Sequence, residues 1–323
     1  MKAIVQEEYG SPDLLESRDI ATPTIADDEV LVEVRAAALR IGNLFVVRGS
    51  PFPVRLASGL RRPKDRVPGF DLAGRVAAVG SQVTTLAPGD EVFGVGHGAC
   101  AEYARATAEL LVAKPRALTF EEAAAIPTSA LAALHGLRDA GRLQAGQRVL
   151  INGASGGVGT YAVQIARILG AEVTGVCGAA NVELVRSLGA DHVIDHTRED
   201  FTQGGPRYDL IFDNVENHSL SHVRRALIPS GTLVLNSGTG ARGFGLLARL
   251  VWPVVLSAFV RQDLRRYLST PNRSDLTYLA GLVDQGALRP VVDRTFPLCE
   301  TAAAFRHVEG GHARGNVVVT LAA

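Results

Sequence analysis

The stretch that most restricts the fold of this chain is "INGASGGVGTYAVQIARILGAEVTGVC", residues 151–177. An apolar run ends in a burst of glycines, a helical pattern follows, and a second apolar run closes it. Ala154-x-Gly156-x-x-Gly159 has the spacing of the G-x-G-x-x-G fingerprint with Ala in the first place. It follows a strand pattern and opens a helix pattern, which is the context that gives the motif meaning. The first small residue makes the tight turn, Gly156 admits a pyrophosphate against the backbone, and Gly159 lets the helix pack on the strand. The free N–H groups and positive dipole end of the helix favour phosphate. Ala154, Ser155, Gly156, Gly157, Val158 and Gly159 are therefore expected to hold a dinucleotide, and Ser155 adds a hydroxyl.

The surrounding pattern agrees. From Gln147 onward strand-like runs such as "RVLIN", "AEVTGVC", "YDLIFDNV" and "TLVLNSG" alternate with helix-like ones such as "NVELVRSLGA" and "SLSHVRRALIPSG". Alternation of this kind implies right-handed crossovers and a doubly wound parallel sheet covered on both faces, an α/β fold. Before it the chain is β-rich. "EVLVEVRAAAL" alternates in its first half like a half-buried strand, and "DLAGRVAAVG" and "GDEVFGVG" are short strand-like runs. "LTFEEAAAIPTSALAALHGLRDAG" reads as one helix, opened by the Thr119/Glu122 capping-box pair and stopped at Gly141.

The second strand of the nucleotide unit bears on the sugar. An Asp or Glu about 20 residues beyond the glycines normally holds a 2′-hydroxyl. Here that point reads "VCGAAN", with no acid. The gap argues against NAD and favours NADP, yet the same turn offers no Arg or Lys to grip a 2′-phosphate. Gly178, Asn181 and His196 are the groups left to serve.

Charge excludes some partners. Thirty-three basic residues balance 33 acidic ones, so there is no global pull toward nucleic acid or an acidic membrane surface. The three cysteines, Cys100, Cys177 and Cys299, show no metal-ligand spacing, and such sparse use fits a reducing cytoplasm. "MKAIVQEEYG" lacks a signal-peptide core. The apolar stretch 243–260 carries Arg249 and Pro253, so a buried helix–strand pair or a subunit contact is expected there rather than a membrane span.

Taken together, "GSPDLLE", "VPGFDLAGRVAAVG", "PGDEVFGV", "AAAIPTSALAALHGL", "GQRVLINGASGGVGTYAVQIAR", "LGADHVIDH", "YDLIFDNV" and "HARGNVVV" resemble the medium-chain dehydrogenase/reductase superfamily. The zinc-free quinone oxidoreductase and enone reductase branch is the nearest in pattern. The resemblance covers the whole chain. It implies a Rossmann domain, 121–285, inserted into a barrel-like (GroES-like) catalytic domain made of 1–120 and 286–323. Zinc enzymes of the superfamily carry a His-Glu pair where this chain has Phe70-Asp71, and their lobe of four structural cysteines is missing. The resemblance thus implies zinc-free hydride transfer from NADPH to an activated alkene or quinone, by a cytoplasmic homodimer acting on a small apolar electrophile.

Several positions depart from that pattern. The loop usually reading Asn-Pro-x-Asp-Trp is "RIGNLF", with Asn43 at the Asp position. The basic residue of the "GAAN" turn is Ala180, the Tyr of "VIDY" is His196, and the Lys of "GKVV" is Asn316. These changes leave a second reading open: a family member repurposed for non-redox cyclisation or isomerisation, or for nucleotide-responsive binding. The resemblance places Thr128 near the nicotinamide, Asn43 beside the substrate and Asn316 toward the cofactor. Asn214, Asn236, Ser237 and Gly238 end strands on the carboxyl side, where open α/β sheets bind ligands. Phe45, Phe70 and Trp252 are candidates for a substrate wall. His97 is a candidate proton donor because imidazole titrates near neutrality.

Overall fold

The structure, a computed structural model, describes residues 1–236, 255–257 and 259–321. The chain divides into two compact units, one of residues 1–128 and 271–323, the other of residues 129–270. The second interrupts the first in sequence, as the motif order implies. The expected insertion, 121–285, is wider than the one observed. The helices Phe120–Ala124 and Arg273–Asp284 both belong to the first unit, the latter packing against Leu111–Ala113.

The first unit opens with β1 (Lys2–Val5) and β2 (Glu16–Asp19), an antiparallel pair. Its main sheet begins at β3 (Glu29–Leu39), which runs into helix α1 (Ile41–Arg48); the short α2 (Pro53–Ser58) follows. Then come β4 (Asp71–Val79), β5 (Glu91–Val95), β6 (Tyr103–Thr107) and β7 (Leu111–Ala113). In β3 burial alternates from Val30 to Val34, as the sequence period demands, and then Ala36–Leu39 are all buried. Small side chains there let both faces be covered. β3 pairs antiparallel with β4, and the register breaks twice, between Leu31 and Val32 and between Val34 and Ala36. Irregularities of that kind bend and twist a strand. β4 pairs in turn with β5, and β5 with β7.

Helix α3 (Phe120–Ala124) lies on β3 and β4, and its start has the expected capping box: the Glu122 amide donates to Thr119 Oγ1 at 3.2 Å and the Thr119 amide to Glu122 Oε2 at 2.9 Å. The single helix expected over residues 119–141 is in fact broken. Ala124 ends the first piece, Pro127 starts α4 (Pro127–Leu134), and residues His135–Ala140 continue as a π-helical turn. Proline at a first helical position is tolerated because its missing N–H has no partner to lose, and it disfavours a helical residue before it.

The second unit contains β8 (Arg148–Asn152), α5 (Gly157–Ile168), β9 (Glu172–Cys177), α6 (Val182–Ser187), β10 (His192–Asp195), β11 (Tyr208–Asp213), α7 (Leu220–Ala226), β12 (Leu227–Leu235) and β13 (Asp263–Arg266). All pairings are parallel and the strand order is β10-β9-β8-β11-β12-β13. Order therefore reverses between β8 and β11, which defines the switch point where such sheets bind ligands. Val149, Leu150 and Ile151 of β8 and Leu210, Ile211 and Phe212 of β11 are buried, as continuous apolar runs in a doubly covered sheet should be. The apolar stretch 243–260 lies mostly outside the described residues. No described helix is long and apolar enough to cross a membrane. The chain then returns to the first unit through α8 (Arg273–Asp284), β14 (Val292–Pro297), α9 (Thr301–Glu309) and β15 (Asn316–Thr320), which pairs with β3.

Gly136, within the π-helical turn, is closely packed. A Cβ on Gly136 would stand 2.4 Å from the Phe212 ring and 2.7 Å from the Tyr267 hydroxyl. Both neighbours are anchored, since Phe212 is fully buried and the Tyr267 hydroxyl lies 2.6 Å from the Ala132 carbonyl. Gly136→Ala should therefore destabilise the protein by about 1–3 kcal/mol, the cost of overpacking a filled core. Urea unfolding of the purified variant checks this; an unchanged midpoint would show that the rings yield.

Candidate functional site

Two constellations stand out, one in each unit. The first lies at the carboxyl ends of the parallel strands. The amides of Gly153 and Ala154 donate to the Val176 carbonyl at 3.2 and 2.9 Å, fastening the glycine turn to β9. Gly153 has φ +78, a left-handed conformation that glycine adopts without strain. A Cβ on Gly159 would stand 2.0 Å from the Gly153 carbonyl oxygen, so no side chain fits where α5 starts. Gly156 differs: a Cβ there would make only an ordinary contact, 3.5 Å from the Gly153 carbonyl oxygen. The first helical bond runs from the Thr160 amide to the Gly156 carbonyl. The amides of Gly157, Val158 and Gly159 precede it and face no earlier helical carbonyl.

The end of β9 adds a second sign of a ligand. The Asn181 carboxamide donates to Ser155 Oγ at 3.2 Å, joining the turn after β9 to the glycine loop, while its Oδ1 is buried with no partner. Orphaned buried acceptors are rare, and a ligand's group is the economical explanation. Gly178 lies beside the His196 ring; a Cβ there would be 3.5 Å from Nε2. The acid missing from β9 has a neighbour on β10. Asp195 pairs with Cys177 across the two strands, and its charge together with burial pushes the Cys177 thiol up to about 11. Asp195 Oδ1 is spent on the Thr197 amide and hydroxyl, which hold its carboxyl below the ordinary value. Arg198, highly exposed, stands in the same turn, 3.7 Å from Asp195. These residues fit a dinucleotide's phosphates and adenosine ribose.

The expected contacts at Asn214 and Asn236 turn out to be tied together. Asn236 Nδ2 donates to Asn214 Oδ1 at 2.7 Å, Asn214 Nδ2 donates to the Asn152 carbonyl at 3.1 Å, and the Tyr267 hydroxyl lies 2.9 Å from Asn236 Oδ1. Asp213, almost fully buried, accepts from Asn152 Nδ2 and from the amides of Val215 and Glu216. Its carboxyl is raised by burial against these bonds. Glu216 in turn receives Arg266 through two bonds of 3.0 and 2.7 Å. Carboxamides and ion pairs thus brace the switch point. Ser237, Gly238 and Trp252 lie outside the described residues.

The second constellation belongs to the first unit. Antiparallel register places Ala38 opposite Asp71, and Asp71 opposite Val95. Arg40, two residues beyond Ala38, reaches back so that its Nε donates to Asp71 Oδ2 at 2.9 Å. Thr128 donates to the other carboxylate oxygen through its hydroxyl and also through its backbone amide. Burial raises the Asp71 carboxyl above its ordinary value, while Arg40 and Thr128 act to lower it. Asn43, 2 % exposed, accepts the Arg40 amide on Oδ1 at 3.2 Å, and its Nδ2 is buried without a partner. Phe45 and Phe70 are half-buried. Asn316 is buried at the start of β15 and donates both its backbone and its side-chain N–H to the Val291 carbonyl.

Metal ligation does not suit this cluster. Phe70 has no donor atom, and Asp71 is committed to Arg40 and Thr128. Cys100 is buried with its thiol pushed up to about 12, far from the thiolate that zinc requires. Among the described residues no group of three or more His, Cys, Asp or Glu side chains can hold a metal.

His97 is held otherwise than a lone proton donor would be. Its Nδ1 lies 3.2 Å from Asp65 Oδ2, both side chains being about half exposed. The hydrogen bond to Asp65 is the main cause that raises the imidazole and lowers the Asp65 carboxyl. The pair therefore stabilises the fold between the ordinary Asp and His ranges, about pH 4 to 6.5. That support fades as pH rises through the raised His97 value and as it falls through the lowered Asp65 value. At this exposure it is worth under about 1 kcal/mol. Asp65→Asn should shift the His97 midpoint down toward the ordinary imidazole value, as followed by NMR titration of the ring protons; an unmoved midpoint would contradict the pairing.

The comparisons bear on both constellations. The Alcohol dehydrogenase GroES-like domain family matches residues 26–116 and the Zinc-binding dehydrogenase family matches residues 188–319. The 2-methylene-furan-3-one reductase of Solanum lycopersicum is 33% identical over 341 residues, covering 99% of this chain and 79% of that protein. The quinone oxidoreductase of Coxiella burnetii superposes with TM-score 0.86 at 30% identity, covering 100% of this chain and 99% of the other. A mycobacterial protein solved in complex with NADPH gives TM-score 0.85 at 26% identity, covering 99% and 100%. With relatives of this closeness along its whole length, a parallel sheet in Rossmann order and Phe70-Asp71 at the metal position, the chain belongs to the medium-chain dehydrogenase/reductase superfamily, in its zinc-free quinone oxidoreductase and enone reductase branch.

Proposed function

We propose that this protein is an NADPH-dependent reductase of small electrophiles in which an alkene is conjugated to a carbonyl, or of quinones, and that it works without zinc. The observation that carries the reading is Asp71. Phe70 stands where zinc enzymes of the superfamily carry their His ligand, and the Asp71 carboxylate beside it is bound by Arg40 and Thr128, which leaves hydrogen bonding to activate the electrophile. When bound, the nicotinamide nucleotide supplies a hydride. The chain's own part is to hold that nucleotide and to position the acceptor, and positioning alone removes a large share of such a barrier. The amides of Gly157, Val158 and Gly159 receive the phosphates, and Ser155 and Asn181 the neighbouring ribose.

NADPH is preferred in this reading because no carboxylate follows β9, Arg198 supplies an exposed cation, and His196 adds a ring N–H beside Gly178. The Asn181 amide can present either its oxygen or its nitrogen, depending on which end meets Ser155. A homodimer and a cytoplasmic setting complete the proposal. Phe259 and Leu268 are 82% and 89% exposed on either side of the edge strand β13, and the described cysteines are all unpaired.

Purified protein should oxidise NADPH in the presence of α,β-unsaturated ketones or quinones, at a rate that neither a zinc chelator nor added zinc changes. No oxidation with any acceptor, despite tight NADPH binding, would overturn the proposal. Arg198→Ala and Asn181→Asp should each weaken NADPH binding by about tenfold, the worth of one charged contact, and leave NADH binding nearly unchanged. Fluorescence titration with both nucleotides measures this, and an equal loss for both would remove these residues from the 2′-phosphate.

A further inference from the structure

We infer that Arg40 and Asn43 form the pair of donors that receives the substrate's carbonyl oxygen and carries its charge once it becomes an enolate. This rests on the reading of the protein as a reductase of conjugated carbonyl compounds, and it assigns the activation that reading leaves unassigned. Three observations on one turn of chain support it. The Arg40 guanidinium spends only Nε, on Asp71 at 2.9 Å, and its terminal nitrogens have no partner among the described residues. Its side chain is 27% exposed, so it is held but still reachable. Asn43 Nδ2, three residues on, is buried and unpartnered, while its Oδ1 is fixed by the Arg40 amide. Oriented donors with no acceptor are what a ligand's oxygen requires.

Space and charge agree. The nearest atom to a Cβ on Gly42, between the two, is an Arg40 terminal nitrogen at 3.9 Å, so no protein atom crowds the approach. Asp71 cancels the formal charge of Arg40, and the pair is net neutral. The chemistry balances without a metal. Hydride adds to the β carbon, and the alkene pair moves through the α carbon onto the carbonyl oxygen. That oxygen, now anionic, lies against Arg40 and Asn43, and a proton from water then closes the α C–H bond. Preorganised donors aimed at developing charge are the strongest single device available to such a site.

Arg40 alone cannot be removed cleanly, because Asp71 would be left buried and unpaired. The test uses Arg40→Gln/Asp71→Asn, which removes both charges, and separately Asn43→Ala. Expected is a thermal midpoint close to that of the parent protein, unchanged NADPH binding, and a fall in kcat/KM for an enone of about 100-fold in the double variant and about tenfold in Asn43→Ala. Retention of kcat/KM within threefold in a folded double variant that binds NADPH would overturn the inference. A second readout needs no turnover. 4-Nitrophenolate, an anionic oxygen on an apolar ring, should bind the NADPH-free protein more tightly than the neutral phenol, with its absorbance titration shifted to lower pH. Both variants should lose that shift. A parent protein that binds the phenolate through these residues but reduces no enone would sink the reductase reading and leave the donor pair standing. A parent protein that shows no shift, or variants that keep it, would sink the donor pair.

Discussion

The carbonyl oxygen of Gly153 occupies the space where a side chain on residue 159 would begin, and the second unit is organised around that contact. A 2.0 Å separation from an imagined Cβ means that α5 can start only with a glycine at this point. In the same turn the Gly153 and Ala154 amides bond to the Val176 carbonyl of β9. The same approach points the first helical N–H groups past the strand ends. The phosphate site proposed for these amides would follow from how a helix must leave this strand.

The first unit depends on a different constraint, the cost of burying Asp71. Removal from water drives the carboxyl toward its neutral form, and the nearby Arg40 and Thr128 act against that. Breaking such a pair costs about 3–5 kcal/mol, because the surviving charge stays buried. That cost fixes three segments that are far apart in sequence: the end of β3 through Arg40, the start of β4 through Asp71, and the start of α4 through Thr128. Antiparallel register makes the meeting possible, since Ala38 opposite Asp71 leaves Arg40 just beyond the strand end.

Much of this is legible in the sequence, for identifiable reasons. Periodicity reveals β8 and β11 because both faces are buried and their residues are apolar without interruption. The glycine loop is legible because its requirements are steric and local. The break at Pro127 is harder to see, since "AAAIPTSALAAL" keeps helical composition through it. Long-range pairing is not written in any short stretch. Phe70 reads as a replaced metal ligand with Asp71 beside it, but Arg40 as the partner of Asp71 follows only from the β3–β4 register. The Asp195–Cys177 neighbourhood likewise needs the β9–β10 pairing, so a search confined to the end of β9 finds no acid and no cation. The widths of the units follow the same rule: α3 and α8 look like parts of the nucleotide domain in sequence and are held in the other unit by the strands they cover.

The replacement of a metal ligand has a consequence for how charge is handled. A divalent ion concentrates two positive charges at a point and polarises whatever oxygen it meets. The Arg40–Asp71 pair has no net charge and spreads its dipole over several ångströms, so it discriminates by geometry: the oxygen must sit on the guanidinium side, away from the carboxylate. Such a site gains most from an oxygen whose charge appears during the reaction and is then lost on protonation, because donors that meet charge only in the reacting state lower the barrier without tightening the ground state. The difference between ground-state and reacting-state charge is what accelerates a reaction. On that argument the exchange of His-Glu for Phe70-Asp71, together with Arg40 and Asn43 in the preceding loop, is a coherent change. One set of residues gives up the metal, and the adjacent turn supplies weaker, directional donors suited to a conjugated carbonyl.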